Sequence, residues 1–228
     1  MPAGATQTEA LPLQSRSQQH LDASVLRGSL SKVLQDNQLC AAERLLAVDA
    51  VEEDARAFHR LPVVCRADLV VVLKAVQQDG QVLAYVDEEL QADRDVVSKA
   101  VCQNGLALQF AAEMLRDDAD LVLLAMRQNW RALQHAGSKA RANRALLLEA
   151  VDLNWNALSF AAPEIFMDRN FMMAAVAYGG SVLQFAVAEL RGDRGLVSHA
   201  VRQSGVALEF ASWDLRADRE IVLEAVHC

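Results

Sequence analysis

The sequence predicts an all-α fold, an α-solenoid of 25-residue helix–turn–helix repeats. Three markers recur at this interval without an insertion: an Ala-Val pair (Ala-Met once), an aspartate or asparagine, and a leucine. A fixed period of this size is the signature of units that pack only on their neighbours. The first marker begins at Ala75, Ala100, Ala125, Ala150, Ala175, Ala200 and Ala225. The other two are Asp68, Asp93, Asp118, Asn143, Asp168, Asp193 and Asp218, and Leu83, Leu108, Leu133, Leu158, Leu183 and Leu208.

The unit from Asp93 to Asp117 shows why a first helix and a turn are expected. Asp93 is a suitable N-cap, because its carboxylate can accept hydrogen bonds from the free N–H groups of a first helical turn. The apolar residues that follow have helical spacing. They are Val96, Val97, Ala100 and Val101. Asn104-Gly105 then predicts the end of the helix, with one of the two residues in the left-handed conformation.

The second half of the unit predicts a second helix of about ten residues, which like the first is too short to be stable alone. Its apolar stripe is Ala107, Leu108, Ala111, Ala112 and Leu115. Aromatic residues at one offset are expected to form a buried ladder, namely Tyr85, Phe110, Phe160, Phe185 and Phe210. A leucine-rich repeat has a similar length but requires a period-2 strand segment, which no unit shows.

The chain is expected to divide into three parts. Residues 1–20, rich in Gln, Ser and Thr, predict a disordered tail without a secretory signal pattern. Residues 21–67 predict a degenerate helical N-terminal cap, with one helix near residues 21–35 and an irregular unit over 43–67. Residues 68–228 predict six repeats and a terminal half repeat, which is either a cap or the point where a longer array was cut.

The unit pattern D-R-x-V-V-x-x-A-V-x-Q-N-G-x-A-L-x-F-A-x-x-x-L-R is clearest in Asp93–Asp117 and Asp193–Ala217. It resembles the family catalogued as domain of unknown function 4116 (DUF4116) over about two thirds of the chain. The resemblance implies tandem helical repeats within larger proteins, with no known activity and no catalytic residues. The chain departs from the pattern at Trp130 and Trp155, where glycine is expected, and at His135, where an aromatic is expected.

Several normally polar offsets become apolar in adjacent units, between Trp130 and Tyr178. The glutamine found two positions before the glycine is replaced by Leu153 and Tyr178, and the recurrent arginine is replaced by Phe166, followed by Met167. Aromatic residues and methionine are favoured at protein interfaces. We therefore predict a partner-binding patch, against the alternative that these side chains only cover one another. Its residues are Trp130, Leu153, Trp155, Phe166, Met167 and Tyr178.

Two offsets recur as arginine. The first set is Arg66, Arg116, Arg141, Arg191 and Arg216, and the second is Arg94, Arg144, Arg169, Arg194 and Arg219. Such rows could track a nucleic-acid backbone. The favoured alternative is that they pair with the cap aspartates, because the chain carries a net charge of -8 and repels phosphate.

No residue set indicates catalysis, so we expect a non-enzymatic protein without cofactor or metal. The five histidines lie at different offsets and share no metal-ligand spacing, and each cysteine is expected to fill a small apolar space. No stretch is long and apolar enough to span a membrane. The sequence favours an intracellular, cytoplasmic protein-interaction scaffold. Nucleic-acid binding and a regulatory or targeting arm of a larger protein are the alternatives, and the partner and oligomeric state are not predicted.

Overall fold

The computed structural model describes residues 40–227, and every regular element in that range is an α-helix or a 3-10 helix. Each 25-residue unit consists of a long α-helix, a six-residue 3-10 helix and a short helix of one turn. Long helices of successive units lie side by side, and so do the 3-10 helices, so the described units form an all-α solenoid. The predicted tail over residues 1–20 and the helix near 21–35 lie outside the described residues.

The elements keep the 25-residue phase along the array. The long helices are Ala41–Glu53, Leu69–Gln78, Arg94–Gln103, Ala119–Gln128, Arg144–Asn154, Arg169–Val176, Arg194–Gln203 and Arg219–Val226. The 3-10 helices that follow them are Ala55–Arg60, Gly80–Tyr85, Gly105–Phe110, Trp130–His135, Trp155–Phe160, Gly180–Phe185 and Gly205–Phe210. The short helices are Val63–Arg66, Glu88–Gln91, Glu113–Arg116, Ser138–Arg141, Pro163–Met167 (also a 3-10 helix), Ala188–Arg191 and Trp213–Arg216.

The long helices begin and pack as the sequence predicts. The Asp93 carboxylate accepts hydrogen bonds from the N–H groups of Asp95 and Val96, and the aspartate or asparagine at the equivalent position caps each later long helix. The predicted stripe of Arg94–Gln103 is fully buried. Because such caps satisfy otherwise free N–H groups, they fix where each helix starts and therefore the register of the unit.

The prediction of one continuous second helix is wrong. In the unit beginning at Asp93, a 3-10 helix ends at Phe110, Ala111 is extended, and a separate turn of α-helix starts at Glu113. The buried positions of this segment include Gly105, Leu108 and Ala111, three residues apart. That spacing fits the three residues per turn of a 3-10 helix and not the 3.6 of an α-helix.

A backbone hydrogen bond joins each short helix to the next unit. The N–H of Ala112 donates to the carbonyl of Gln91 over 3.0 Å, which gives a partner to a carbonyl at the end of the preceding short helix. The same bond recurs in every described unit boundary over distances of 2.7–3.4 Å. The donors are the N–H groups of Asp87, Ala112, Gly137, Ala162, Val187 and Ser212.

The core consists of small and branched apolar side chains, with five of the six marker leucines fully buried. Cys65 lies in this core, and its burial, together with the charges of Asp68 and Glu43, raises its pKa to about 11. Cys40 and Cys102 are exposed, so the expectation that each cysteine fills an apolar space is wrong for these two. In the part of the chain from 40 to 227, no helix has the length and apolar character needed to cross a membrane.

Candidate functional site

Glycine recurs at the first position of the 3-10 helices because the next unit approaches it closely. A Cβ built on Gly105 would lie 2.2 Å from the carbonyl oxygen of Ala125 in the following long helix. The same contact occurs at Gly80, Gly180 and Gly205, and none of these glycines has the positive φ of the left-handed region. The predicted left-handed turn is therefore wrong. Asn104, which precedes Gly105, is extended with φ −146° and ψ 108°.

A glutamine completes this contact between units. The N–H of Gly80 donates to Oε1 of Gln103 over 2.6 Å, and Nε2 of Gln103 donates to the carbonyl oxygen of Gln78 over 3.0 Å. Gln103 thus links the end of one long helix to the start of the 3-10 helix that follows it. Among the described residues this pair of hydrogen bonds is seen at Gly80 and Gln103. The sequence repeats the same pairing, a glutamine 23 positions after a glycine, at Gly105 with Gln128 and at Gly180 with Gln203.

At two successive boundaries between units, the glycine and the glutamine are replaced together. In the first case Trp130 replaces the glycine and Leu153 replaces the glutamine. In the second case Trp155 replaces the glycine and Tyr178 replaces the glutamine. Leucine cannot make these two hydrogen bonds. The Tyr178 side chain makes no hydrogen bond within residues 40–227. The helix end opposite Trp155 also differs, because the Gly179 N–H donates to Val176 instead of reaching the carbonyl one residue earlier. The tryptophans therefore belong to a differently built contact.

The two indole rings are half-buried and lie against aromatic residues of the next unit. Trp130 stacks on Phe160 with ring centroids 5.9 Å apart and an interplanar angle of 29°. Trp155 meets Phe185 at 6.2 Å and 58°. The Arg131 guanidinium lies 4.8 Å from the Trp130 ring centroid, a cation–π distance. Neighbouring rings thus cover part of each indole and leave the rest accessible.

Phe166 extends the second of these clusters. Its ring stacks on Phe185 at 5.6 Å and 18°, so Phe185 lies in contact with both Trp155 and Phe166. Met167 is 67% exposed, Tyr178 56% and Leu153 45%. We use the term apolar patch for the predicted residues Trp130, Leu153, Trp155, Phe166, Met167 and Tyr178. None of the six is fully buried, and ring contacts bring Trp155 and Phe166 together through Phe185.

The aromatic residues at the ends of the 3-10 helices do not form the predicted buried ladder. Tyr85 is 50% exposed, and the others are half-buried, namely Phe110, Phe160, Phe185 and Phe210. Gly105, Ala107 and Leu108 of the same 3-10 helix are buried, whereas Phe110 at its last position is covered only in part. His135, expected in the core at this offset, is also half-buried. The row is therefore a surface feature, and the sequence pattern did not show that Phe160 and Phe185 support the patch.

The two sets of arginines behave differently. In the second set, four arginines pair with the cap aspartate of the next unit, as expected; Nε of Arg94, for example, lies 3.1 Å from Oδ2 of Asp118. The first set makes no ion pair among residues 40–227. Nε of Arg66, Arg116 and Arg141 is buried and has no hydrogen-bond acceptor there. For this first row the predicted pairing with cap aspartates is wrong.

Arg116 of this row acts on His135 of the next unit. Burial, and then the positive charge of Arg116, lower the pKa of His135 below its usual 6.5. The folded protein therefore disfavours the protonated imidazole, and the stability that the neutral form contributes is lost as the pH falls below the pKa of the unfolded chain. His135 is thus expected to be neutral at pH 7.

An Arg116→Gln variant is expected to raise the pKa of His135, because the repulsive charge is removed while burial remains. The pKa should stay below 6.5, since burial is the larger cause. Titration of the imidazole Cε1–H signal by NMR measures it. Arg144→Gln is the matched control, because that guanidinium pairs with Asp168. Equal His135 pKa values in wild type and Arg116→Gln would show that the Arg116 charge does not reach this ring.

Comparison with known proteins identifies the repeat. The family model described as Domain of unknown function (DUF4116) matches residues 68–116, 93–139, 118–166 and 168–216, which together make up more than half of the chain. Consecutive matches begin 25 residues apart in the first three cases, so each match spans about two structural units. No curated protein and no solved structure matches the chain.

Proposed function

We propose, from the surface of its repeats, that this chain is a non-enzymatic scaffold that binds a protein partner. The chain belongs to the DUF4116 family, whose description assigns no activity. The apolar patch is the proposed binding surface. It lies where the recurrent pairing of glycine and glutamine in the sequence is replaced, so it distinguishes three adjacent units from the rest of the array. The inference that a solenoid serves as a binding surface is made by analogy with other helical repeats.

One observation carries the proposal: the tryptophans that replace glycine are only half-buried, and the other apolar replacements Leu153 and Tyr178, with Met167, are exposed. If these substitutions served internal packing alone, burial of the new side chains would supply their stabilisation. Instead Leu153, Met167 and Tyr178 leave large apolar surfaces in contact with solvent. Large apolar side chains rimmed by polar residues are typical of protein interaction sites.

Nucleic-acid binding is less well supported than a protein partner. One arginine row is neutralised by the cap aspartates. The other accompanies exposed acidic side chains in the first turns of the short helices, such as Glu113 and Glu189. With a net charge of -8, the chain as a whole repels a phosphate backbone. A patch-bearing array of this kind is equally suited to act as the targeting arm of a larger polypeptide.

The proposal is tested by changing only exposed residues of the patch. A Leu153→Gln, Met167→Gln, Tyr178→Gln variant should remain folded, because solvent-exposed substitutions of this kind cost little stability. Affinity purification of the full chain with quantitative mass spectrometry measures the effect. The amount of a specific partner recovered with the variant should be at least tenfold lower than with wild type. Met114→Gln is the control, since Met114 is 86% exposed and lies outside the patch. Recovery of the same proteins in equal amounts with wild type and the triple variant would contradict the proposal.

A further inference from the structure

The first arginine row and the row of aromatic residues lie beside each other. Nη1 of Arg66 donates to the carbonyl oxygen of Tyr85, 19 residues later, over 3.4 Å. The same offset relates Arg116 to His135, whose pKa it lowers, and Phe166 to Phe185, on which it stacks. Positions at this offset, near the end of each short helix, therefore follow one line along the array, next to the last positions of the 3-10 helices.

Phe166 is an apolar position between two cationic ones in this line. Arg141 precedes it by one unit and Arg191 follows it by one unit, and both side chains are half-buried. Neither makes an ion pair within the described part of the chain, and Nε of Arg141 is buried without an acceptor. A guanidinium offers five N–H donors and pairs well with carboxylates. The line thus presents a cation, an apolar ring and a second cation in order.

The spacing of the line restricts the shape of what can lie along it. The long helices of neighbouring units pack on each other. Packed helices are about 8–10 Å apart, so the units, and with them equivalent positions of the line, repeat at roughly that distance. A polyproline II segment rises about 3.1 Å per residue with three residues per turn, so every third side chain faces one side at a spacing of about 9 Å. A β-strand turns alternate residues to one side at about 6.6 Å, which does not match.

We propose that the partner segment is an extended, polyproline II-like peptide carrying carboxylate, apolar and carboxylate side chains at positions i, i+3 and i+6. The two carboxylates pair with Arg141 and Arg191, and the apolar side chain lies on Phe166 and Met167. This inference rests on the proposed function, because it specifies the chemistry of the partner that the apolar patch binds. Carboxylate pairing supplies the polar rim, and the patch supplies the apolar centre.

The charges along the line favour separate carboxylates over a continuous polyanion. Glu164 and Glu189 are exposed in the first turns of the same short helices that carry Phe166 and Arg191. A nucleic acid carries a negative charge about every 3.4 Å of each strand, so it would place phosphates opposite these glutamates as well as opposite the arginines. A peptide with two carboxylates six residues apart avoids that repulsion.

Fluorescence anisotropy with a labelled peptide tests the proposal on the full chain. The probe Glu-Pro-Pro-Leu-Pro-Pro-Glu should bind, while Gln-Pro-Pro-Leu-Pro-Pro-Gln and the shorter-spaced Glu-Pro-Leu-Pro-Glu should each bind at least tenfold more weakly. The variants Arg141→Gln and Arg191→Gln should each bind the first peptide with at least fivefold lower affinity than wild type. Arg191→Lys should bind more tightly than Arg191→Gln, because it keeps the charge. Arg144→Gln is the matched control and should bind as wild type, because its guanidinium pairs with Asp168.

Equal binding of the Glu and Gln peptides, or wild-type binding by both glutamine variants, would overturn this inference. It would leave the proposed function intact if the Leu153, Met167 and Tyr178 variant still loses its cellular partner. If wild type and that triple variant instead recover the same proteins in equal amounts, the proposed function itself is contradicted. A ten-nucleotide oligouridylate that binds more tightly than the peptide, and does so through Arg141 and Arg191, would replace the peptide by a single-stranded nucleic acid.

Discussion

Replacing Gly105 by alanine should lower the free energy of unfolding by about 3 kcal/mol, at the upper end of the usual cost of overpacking. The added Cβ would lie 2.2 Å from the carbonyl oxygen of Ala125 and 3.0 Å from its carbonyl carbon. Both atoms belong to the backbone of the next long helix, so no side-chain rotation relieves the clash. The two units must separate, and the contacts that stabilise each short helix against its neighbour are weakened.

Gly179→Ala is the matched control for this substitution. Gly179 has φ −179°, which any residue adopts, and a Cβ there would meet no atom within 4 Å. Alanine at this position should change the unfolding free energy by less than about 1 kcal/mol. The change should be stabilising, because alanine lowers the conformational entropy of the unfolded chain. Urea unfolding followed by circular dichroism measures both variants. Equal stabilities of Gly105→Ala and Gly179→Ala would disprove the close-approach explanation.

Deleting the whole unit 93–117 should give a shorter protein that still unfolds cooperatively. Residue 92 then precedes Asp118, so Gly80 faces Ala125 and the carbonyl of Gln91 meets the N–H of Gly137, as equivalent groups do in the intact array. The loss of 25 residues should cost about 1–4 kcal/mol at the usual 0.05–0.15 kcal/mol per residue. The slope of unfolding free energy against urea should decrease with the surface that is lost.

Deleting only residues 105–117 should have a much larger effect, although about half as many residues are removed. Asn104 would then precede Asp118 directly, so two long helices would follow each other without the 3-10 and short helices between them. The row of each kind of element is interrupted, and helices of this length do not persist without their neighbours. Circular dichroism should show loss of helix and of a single transition. A half-unit deletion as stable as the whole-unit deletion would contradict the solenoid packing.

The sequence predicts the long helices well because their signals are local. Asp93 as a cap and a stripe at helical spacing through Val96, Val97, Ala100 and Val101 each have one physical interpretation, and the 25-residue phase repeats them seven times from Asp68 onward. The recurrence also predicts that each unit packs on the next. Helices this short are unstable alone, so their apolar stripes must be buried against the neighbouring units.

The second half of the unit is harder to predict, because its apolar residues fit two helical periods. Ala107, Leu108 and Ala111 have spacings that an α-helix allows, while Gly105, Leu108 and Ala111 have the three-residue spacing of a 3-10 helix. The choice between them depends on the backbone contact with Ala125 of the next unit, which a single unit does not contain. In the sequence alone, the glycine therefore suggests a left-handed turn. In the structure it is required because the backbone of the next unit lies so close that a side chain would clash.

The apolar patch is predicted from the sequence only in part. The replacement of the glycine and glutamine offsets by Trp130, Leu153, Trp155 and Tyr178 is visible in the repeated sequence, and the structure shows that the two indole rings lie against Phe160 and Phe185. The supporting roles of Phe160 and Phe185 are not visible, because their recurrence suggests core packing. Likewise, nothing in the spacing distinguishes the arginine row that pairs with aspartates from the row that does not.

The hydrogen bond between each short helix and the next unit depends on main-chain atoms alone. Its donors belong to residues as different as Asp87, Gly137 and Val187. Any residue except proline can supply that amide, so mutation at this offset leaves the connection between units in place. The repeats can therefore diverge here without losing their alignment, and a comparison of side chains cannot detect the connection that recurs at the six unit boundaries from Asp87 to Ser212.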